Sequence, residues 1–155
     1  MKRLRKFSIS VMAAACLMAF GSSSAFAATG WADTPETAEV MYTSISPNSG
    51  FSATQYLDSM SDNDYYLVDN TNGSSVITFG VIATPPPNFD IVMIVYKMNA
   101  SGGIEFIKTD NWNGPGYAEA IGMSAKPGEK VYFRIMDNGI NNYNQPYNIQ
   151  FTVYN

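Results

Sequence analysis

Two kinds of side chain in this sequence carry chemical information, a small group of carboxylates and an unusually large set of aromatic rings. The chain has no histidine and one cysteine, Cys16. The commonest general base and nitrogen metal ligand are therefore absent, and a thiol nucleophile is confined to the N-terminal segment. Paired carboxylates can hydrolyse glycosides, but no pair stands out within an apolar pocket. We therefore expect a protein that is not an enzyme.

The carboxylates gather around one predicted strand. Asp62 and Asp64 stand at its start, just before Tyr65-Tyr66-Leu67-Val68, and Asp33 and Glu36 lie in the segment before the first strand. Carboxylate and amide oxygens are ligands for Ca²⁺, which takes about 6–8 of them. The competing interpretation is that Asp62 and its neighbours cap a turn through side-chain hydrogen bonds. No EF-hand spacing is present, and both interpretations stay open.

The aromatic rings suggest a binding surface. The chain has ten tyrosines and two tryptophans, and such rings can stack on sugars or lie along an extended polypeptide. Alternatively, tyrosines on an exposed sheet face simply form cross-strand pairs. The candidates lie opposite the predicted core face of their strands or in polar loops: Tyr65, Tyr96, Trp112, Tyr132, Tyr143 and Tyr154.

Residues 1–27 have the pattern of a cleaved secretory signal. Four basic residues fall within the first six positions, an apolar run extends from Ile9 to Phe20, and Ala25-Phe26-Ala27 ends the segment. The run is shorter than the roughly 20 residues of a membrane span. We predict cleavage after Ala27 and a secreted, extracellular or cell-surface protein. The mature chain would contain no thiol and hence no disulfide.

The mature chain would be strongly acidic. Four of the nine Lys and Arg residues lie in residues 1–27, so five cations accompany 13 carboxylates in the remaining 128 residues, a net charge of −8. Basic patches supply the affinity for nucleic acid and anionic lipid. We therefore do not expect nucleic acid among the partners of this chain. We also expect no membrane span, because the apolar run in residues 1–27 is too short.

The elements that must position these side chains are predicted to be strands. Residues 147–153 alternate strictly between apolar and polar, as a half-buried strand does. Short strands with turn residues between them indicate an all-β protein, a single antiparallel, jelly-roll-like β-sandwich over residues 37–155, preceded by an arm over residues 28–36. Asn72-Gly73 predicts a hairpin between strands at Asp64–Asn70 and Ser74–Ala83. The other predicted strands are Ala38–Ile45, Phe89–Met98, Ile104–Thr109, Tyr117–Ser124, Lys130–Met136 and Tyr147–Val153, with a further short strand within Phe51–Met60.

The most apolar of these strands, Phe89–Met98, is apolar on both faces. One interpretation is a central strand covered on both sides. The other is that Val92, Ile94 and Tyr96 belong to an exposed apolar surface that contacts a partner.

Four segments resemble the bacterial pre-peptidase C-terminal domain family. They are Asp33–Ala38, Asp62–Tyr66 (similar to D-x-D-[WY]-Y), Phe89–Met93, and Gly128–Ile135 followed by Tyr147–Val153. The family is a jelly-roll-like sandwich attached to secreted proteases, and it includes the collagen-binding domains of clostridial collagenases.

The resemblance also bears on calcium. It permits the arm to fold back beside the start of the Asp64 strand, and Asp33, Glu36, Asp62 and Asp64 would then converge. In the collagen-binding relatives, calcium is held where such an arm meets the sandwich. Val92 departs from the family pattern, which often has an acidic residue there, and weakens any metal site at that position.

These observations together predict a secreted, non-catalytic binding or adhesion module for an extracellular polymer, either a polysaccharide or a matrix protein. One alternative is a structural protein of the cell surface or matrix that self-associates through the Val92–Tyr96 surface or an open sheet edge. Another is an accessory chain of a separately encoded secreted protease.

Overall fold

The computed structural model of the chain describes residues 30–154. The predicted secretory signal, with Cys16, lies outside the described residues. A 3₁₀ turn at Pro35–Thr37 precedes nine strands, and the all-β prediction is confirmed. Among residues 30–154, no helix is long and apolar enough to cross a bilayer. The strands are β1 (Glu39–Thr43), β2 (Gly50–Gln55), β3 (Asn63–Asp69), β4 (Ile77–Thr84), β5 (Ile91–Met98), β6 (Ile104–Asp110), β7 (Glu119–Ala125), β8 (Lys130–Asp137) and β9 (Tyr147–Val153).

The strands form two sheets packed as a sandwich. The five-stranded sheet has the order β1-β3-β8-β5-β6 and the four-stranded sheet the order β2-β9-β4-β7. One pairing departs from the predicted antiparallel arrangement, because β1 runs parallel to β3. The reason is that β2, between them in the chain, lies in the other sheet, so the chain reverses twice before β3 begins.

The core lies between the two sheets and follows from the alternation in the sequence. Tyr66 and Val68 of β3, predicted to face the core, are fully buried, as is Phe133 of the paired strand β8. From the opposite sheet, Phe79 packs on Phe151 with ring centroids 5.4 Å apart. Burial of these rings supplies much of the hydrophobic stabilisation of the domain.

The predicted hairpin around Asn72-Gly73 is wrong. The strands on either side of this turn, β3 and β4, lie in different sheets and do not pair. The turn instead carries the chain across the end of the sandwich, where the buried Asn70 side chain donates to Ser75 O at 2.9 Å and Ala125 O at 3.0 Å. These bonds satisfy the carbonyl of Ser75 in the crossing segment and that of Ala125 at the end of β7.

The segment before β1 folds back against the start of β3, an arrangement that the resemblance permitted. The backbone N–H of Tyr65 donates to Ala32 O at 2.8 Å. Next to this bond, the Trp31 ring packs edge-on against Tyr66, with centroids 6.0 Å apart. The arm is thus tied to the sandwich by both a backbone hydrogen bond and an aromatic contact.

Candidate functional site

The outer face of the five-stranded sheet has an apolar and aromatic row through its centre, with the charged residues Asp69, Lys130 and Arg134 beside it. Residues paired across neighbouring strands project to the same side of a sheet, and the register aligns one such row across all five strands. From edge to edge, the row consists of Val40, Leu67, Tyr132, Tyr96 and Ile107.

Further apolar side chains flank this row, among them Ile94 and Val92 of β5, and Ile104 opposite Met98. We call this surface the apolar face. Strand β5 therefore contributes to the core with one side and to the apolar face with the other. Val40, Ile104 and Ile107 are 47%, 59% and 64% exposed, so the rim of the apolar face is open.

The outer face of the four-stranded sheet has the opposite character, and we call it the polar face. Its rows across paired strands consist of hydroxyl, amide and small residues. Ile82, 42% exposed, is the main apolar exception. The rows are Ser52, Gln150, Ile82 and Ala120; Gly50, Thr152, Gly80 and Gly122; and Thr54, Asn148 and Thr84. The sandwich therefore presents one apolar and one polar outer surface.

Three of the predicted tyrosines come together on the apolar face. Tyr96 and Tyr132 stack with centroids 5.1 Å apart and an interplanar angle of 14°. Tyr65 meets Tyr96 edge-on at 6.5 Å. Tyr132 is only 8% exposed, whereas Tyr65 and Tyr96 are half-buried. Tyr132 is thus the floor of the cluster, and the other two rings offer the accessible aromatic surface.

Arg134 places a cation beside these rings. Its guanidinium lies 5.7 Å from the Tyr65 ring centroid, within the range of a cation–π contact. The same group donates to Asn63 Oδ1 from Nε at 2.8 Å and from Nη2 at 2.6 Å. Burial raises the pKa of Tyr96 above its ordinary value. The Tyr96 hydroxyl therefore stays protonated, and remains a donor, throughout the physiological pH range.

The other predicted aromatic residues are dispersed. Tyr154 is 66% exposed and lies on the polar face, where a Cβ at Gly80 would collide with its hydroxyl. Tyr143 donates its hydroxyl to Asp137 Oδ2 at 2.5 Å and packs edge-on against Phe89. These contacts hold the β8–β9 loop in place. Trp112, in the β6–β7 loop, is 83% exposed.

The loop that carries Trp112 is pressed against the β4–β5 loop, and Gly116 permits the approach. Gly116 has φ +82°, and a Cβ there would lie 2.6 Å from Pro87 Cα. We expect Gly116→Ala to lower the free energy of unfolding by about 1–3 kcal/mol, from the left-handed backbone and the collision together. Urea denaturation measures this loss.

Gly139→Ala is the matched control for this substitution. Gly139 has φ +93°, but a Cβ there meets nothing within 4 Å. Gly139→Ala should therefore lower the free energy of unfolding only by the cost of the left-handed backbone. Equal losses for the two variants would contradict tight packing between the loops.

A buried chain of hydrogen bonds, not anticipated from the sequence, joins the two sheets. Tyr147 donates its hydroxyl to Asp64 Oδ2 at 2.5 Å, and its oxygen lies 2.5 Å from that of Tyr66. Asp64 is 2% exposed, and both tyrosines are fully buried. Since the Tyr147 proton is used on Asp64, Tyr66 is the donor to Tyr147 when Asp64 is ionised.

This environment disfavours the charge on Asp64. Burial raises the pKa of Asp64 to about 7, against the opposing effect of the Tyr147 hydrogen bond. The negative charges of Asp62, Asp33 and Asp58 raise it further. Asp64 is thus a core group that takes up a proton near neutral pH.

Two of the four predicted calcium ligands, Asp62 and Asp64, are engaged in other hydrogen bonds, and calcium binding stays a prediction. Both oxygens of Asp62 accept backbone N–H groups, from Asp58 at 2.6 Å and from Asn63 at 2.8 Å, which is the turn-capping arrangement. Asp64 is committed to Tyr147, and Glu36 is exposed on the 3₁₀ turn. Among the described residues, no three His, Cys, Asp or Glu side chains are grouped so as to hold a metal ion.

Comparison with known proteins gives distant structural similarities. No family model and no curated protein matches the chain. The pre-peptidase C-terminal domain of a collagenase from Bacillus anthracis matches with 15% identity, 78% of this chain, 98% of that chain and a TM-score of 0.48. The Yersinia pseudotuberculosis-derived mitogen matches with 13% identity over 67% of this chain and 81% of that chain, with a TM-score of 0.41.

PliG from Aeromonas hydrophila, a periplasmic inhibitor of g-type lysozyme, matches with 11% identity, 75% of this chain, 98% of that chain and a TM-score of 0.37. Such low identities and TM-scores say nothing about function. Membership of the pre-peptidase C-terminal family therefore remains a prediction.

Proposed function

We propose that this chain is a secreted, non-catalytic β-sandwich that binds an extracellular polymer, a polysaccharide or a protein, through the apolar face. The observation that carries the proposal is the contrast between the two outer surfaces. Both would be polar if each faced only water, because antiparallel sheets ordinarily solvate a polar outer face. Extended apolar surface on a sandwich is typical of contact with a partner.

The shape of the apolar face favours an extended ligand. Its central row has one side chain from each of five strands. At a strand spacing of about 4.8 Å, the row is about 19 Å long. A row of this length accommodates several residues of a polypeptide or several sugar units. Tyr65 and Tyr96 supply ring surface along it, and the Tyr96 hydroxyl supplies a donor.

Secretion and the absence of catalysis are supported by the sequence. The basic head, the short apolar run and Ala25-Phe26-Ala27 favour export. Asp64, whose raised pKa would suit acid–base chemistry, is instead enclosed in the core beside Tyr147. Its setting supports a structural role.

Co-sedimentation with insoluble polymers tests the proposal, using cellulose, chitin and fibrillar collagen with residues 28–155. We expect one of these polymers to retain the protein and Tyr96→Ala to weaken binding about tenfold or more, because interface aromatics carry much of the binding energy. Tyr154→Ala, on the polar face, is the control and should bind normally. Loss of binding in Tyr154→Ala with full binding in Tyr96→Ala would overturn the assignment.

Self-assembly is the second candidate function. It is favoured by the edge strand β6, where Ile104 and Ile107 are 59% and 64% exposed. Exposed apolar edge strands are templates for pairing with another chain. Light scattering over a range of protein concentrations distinguishes the two functions. Assembly would be favoured if the mass of the wild type rises with concentration while Ile107→Lys keeps the mass of a monomer.

A further inference from the structure

Four loops meet at one end of the sandwich, which we call the loop end. They connect β2 to β3, β4 to β5, β6 to β7 and β8 to β9, and comprise residues 56–62, 85–90, 111–118 and 138–146. The strand register places the flanking strand ends side by side: Ile91 pairs with Asp137, Met93 with Asp110, and Ala83 with Glu119. The loop end is separate from the apolar face, which lies on the side of the sandwich.

Three of these loops are fastened to one another. Gly116 N–H donates to Phe89 O at 2.9 Å, which joins the β6–β7 loop to the β4–β5 loop. Asn138 Nδ2 donates to Asn111 Oδ1 at 3.0 Å and to Asp90 Oδ2 at 2.9 Å. A single side chain thereby links all three loops. Their positions are consequently fixed relative to the sheets.

A buried carboxylate holds the β6–β7 loop from beneath. Glu119, 1% exposed, accepts the backbone N–H groups of Trp112 at 3.4 Å and Asn113 at 3.1 Å. The neighbouring Asp110, 5% exposed, accepts the N–H of Ala120 at 3.0 Å. Carboxylates that bind successive backbone N–H groups give a loop a defined shape. Trp112 is therefore presented from a fixed backbone.

Apart from the buried Asp90, the side chains on these fastened loops are aromatic, apolar, small or amide. Trp112, Tyr117 and Ile140 are 83%, 69% and 52% exposed. Lysine and arginine are absent from the sequence of all four loops. The amide-bearing residues of the three fastened loops are Asn88, Asn111, Asn113, Asn138, Asn141, Asn142, Asn144 and Gln145. The surface thus combines ring faces with hydrogen-bond donors and acceptors and has no cation.

We infer that the loop end is a second binding site and that it takes a saccharide without anionic groups. Sugars present apolar C–H faces, which pack on exposed rings, and hydroxyls, which bond to side-chain amides that both donate and accept. An anionic ligand would meet Asp58 and Asp62 of the β2–β3 loop and no cation to pair with. Rigid loops also lower the entropic cost of binding.

The two tryptophans of the chain allow this site to be observed directly. Trp31 is packed against the core beside Tyr66, whereas Trp112 is exposed at the loop end. A ligand that covers Trp112 will shift its fluorescence emission and protect it from acrylamide quenching. Trp31 supplies a background that the ligand leaves unchanged.

The experiment titrates residues 28–155 with cellohexaose, chitohexaose and mannohexaose, and with oligogalacturonate as the anionic comparison. We expect a saturable emission change with at least one neutral hexaose and none with oligogalacturonate. Trp112→Ala should weaken binding about 30-fold, the effect of losing an interface tryptophan. Since the signal itself comes from Trp112, binding by this variant is measured by calorimetry.

Two controls make the result specific. Ile45→Ala removes a side chain that is 77% exposed in the loop between β1 and β2, outside the loop end, and should bind hexaose as the wild type does. Tyr154→Ala, on the polar face, should also bind normally. The inference is overturned if no neutral hexaose saturates at millimolar concentration. Binding of polylysine in place of the hexaoses, or hexaose binding that leaves the emission of Trp112 unchanged, would overturn it equally.

Discussion

Asp64→Asn is expected to remove a large part of the pH dependence of folding stability. The folded-state pKa of Asp64 is raised to about 7 from 3.8, chiefly by burial. Between these values the folded protein holds a proton that the unfolded chain releases, so stability falls as pH rises through this window. The full change is about 4 kcal/mol, at about 1.4 kcal/mol for each unit of pKa. The amide of Asp64→Asn does not titrate, so the variant lacks this change in stability with pH.

The measurement is urea denaturation of wild type and Asp64→Asn at pH 5 and pH 8. Asp64→Asn should gain stability relative to the wild type as pH rises, and at pH 8 it should be the more stable protein. Glu105→Gln, at an exposed position of β6, controls for the loss of one negative charge. A difference between Asp64→Asn and wild type that stays constant from pH 5 to pH 8 would contradict the buried, proton-binding carboxyl.

Tyr147→Phe is expected to lose stability relative to the wild type as pH rises, whereas Asp64→Asn gains it. The substitution removes the hydroxyl that donates to Asp64 and lies 2.5 Å from that of Tyr66. A buried acceptor left without its donor costs about 1–3 kcal/mol, and more when it is charged. The cost should therefore be larger at pH 8, where Asp64 is more often ionised, than at pH 5.

Tyr66→Phe is the matched comparison. Tyr66 is as completely buried as Tyr147, and its hydroxyl bonds to Tyr147 rather than to the carboxyl. It should cost less than Tyr147→Phe and show little change between pH 5 and pH 8. Equal costs for the two substitutions, measured by denaturation at both values, would mean that the Asp64 contact contributes no special stabilisation.

Local sequence patterns predicted the strands well because each strand has one face in the core. The final strand, Tyr147–Val153, was predicted with the bounds that the structure has, since apolar and polar residues alternate along its whole length. Ile104–Asp110 and Lys130–Asp137 extend one residue beyond their predicted ends. Periodicity identifies such strands reliably because a shift of one residue would expose the entire apolar set.

Strand partners were harder to predict because they depend on contacts distant in sequence. Asn72-Gly73 is a strong local hairpin signal, yet β3 and β4 belong to different sheets. Here the buried Asn70 side chain, bonded to Ser75 and Ala125, stabilises a crossing between sheets instead. The parallel pairing of β1 with β3 likewise depends on where β2 is placed.

The placement of the candidate tyrosines was also predicted only in part, because strand order depends on contacts distant in sequence. Alternation placed Tyr65, Tyr96 and Tyr132 opposite the core, but only strand order shows that they share one face and that Tyr154 lies on the other. The Asp64–Tyr147 contact had a signal in the sequence. Asp64 has the parity of the buried Tyr66 and Val68, and Tyr147 that of Ile149, so both polar groups had to face the core.

The apolar face is tested most directly by comparing one isoleucine on each outer surface. Ile107 on the apolar face is 64% exposed and Ile82 on the polar face 42% exposed, so Ile→Thr at either position leaves the core intact. In co-sedimentation with the polymer that retains the wild type, Ile107→Thr should lower the bound fraction and Ile82→Thr should leave it unchanged. Equal retention of the two variants, or loss confined to Ile82→Thr, would contradict binding through the apolar face.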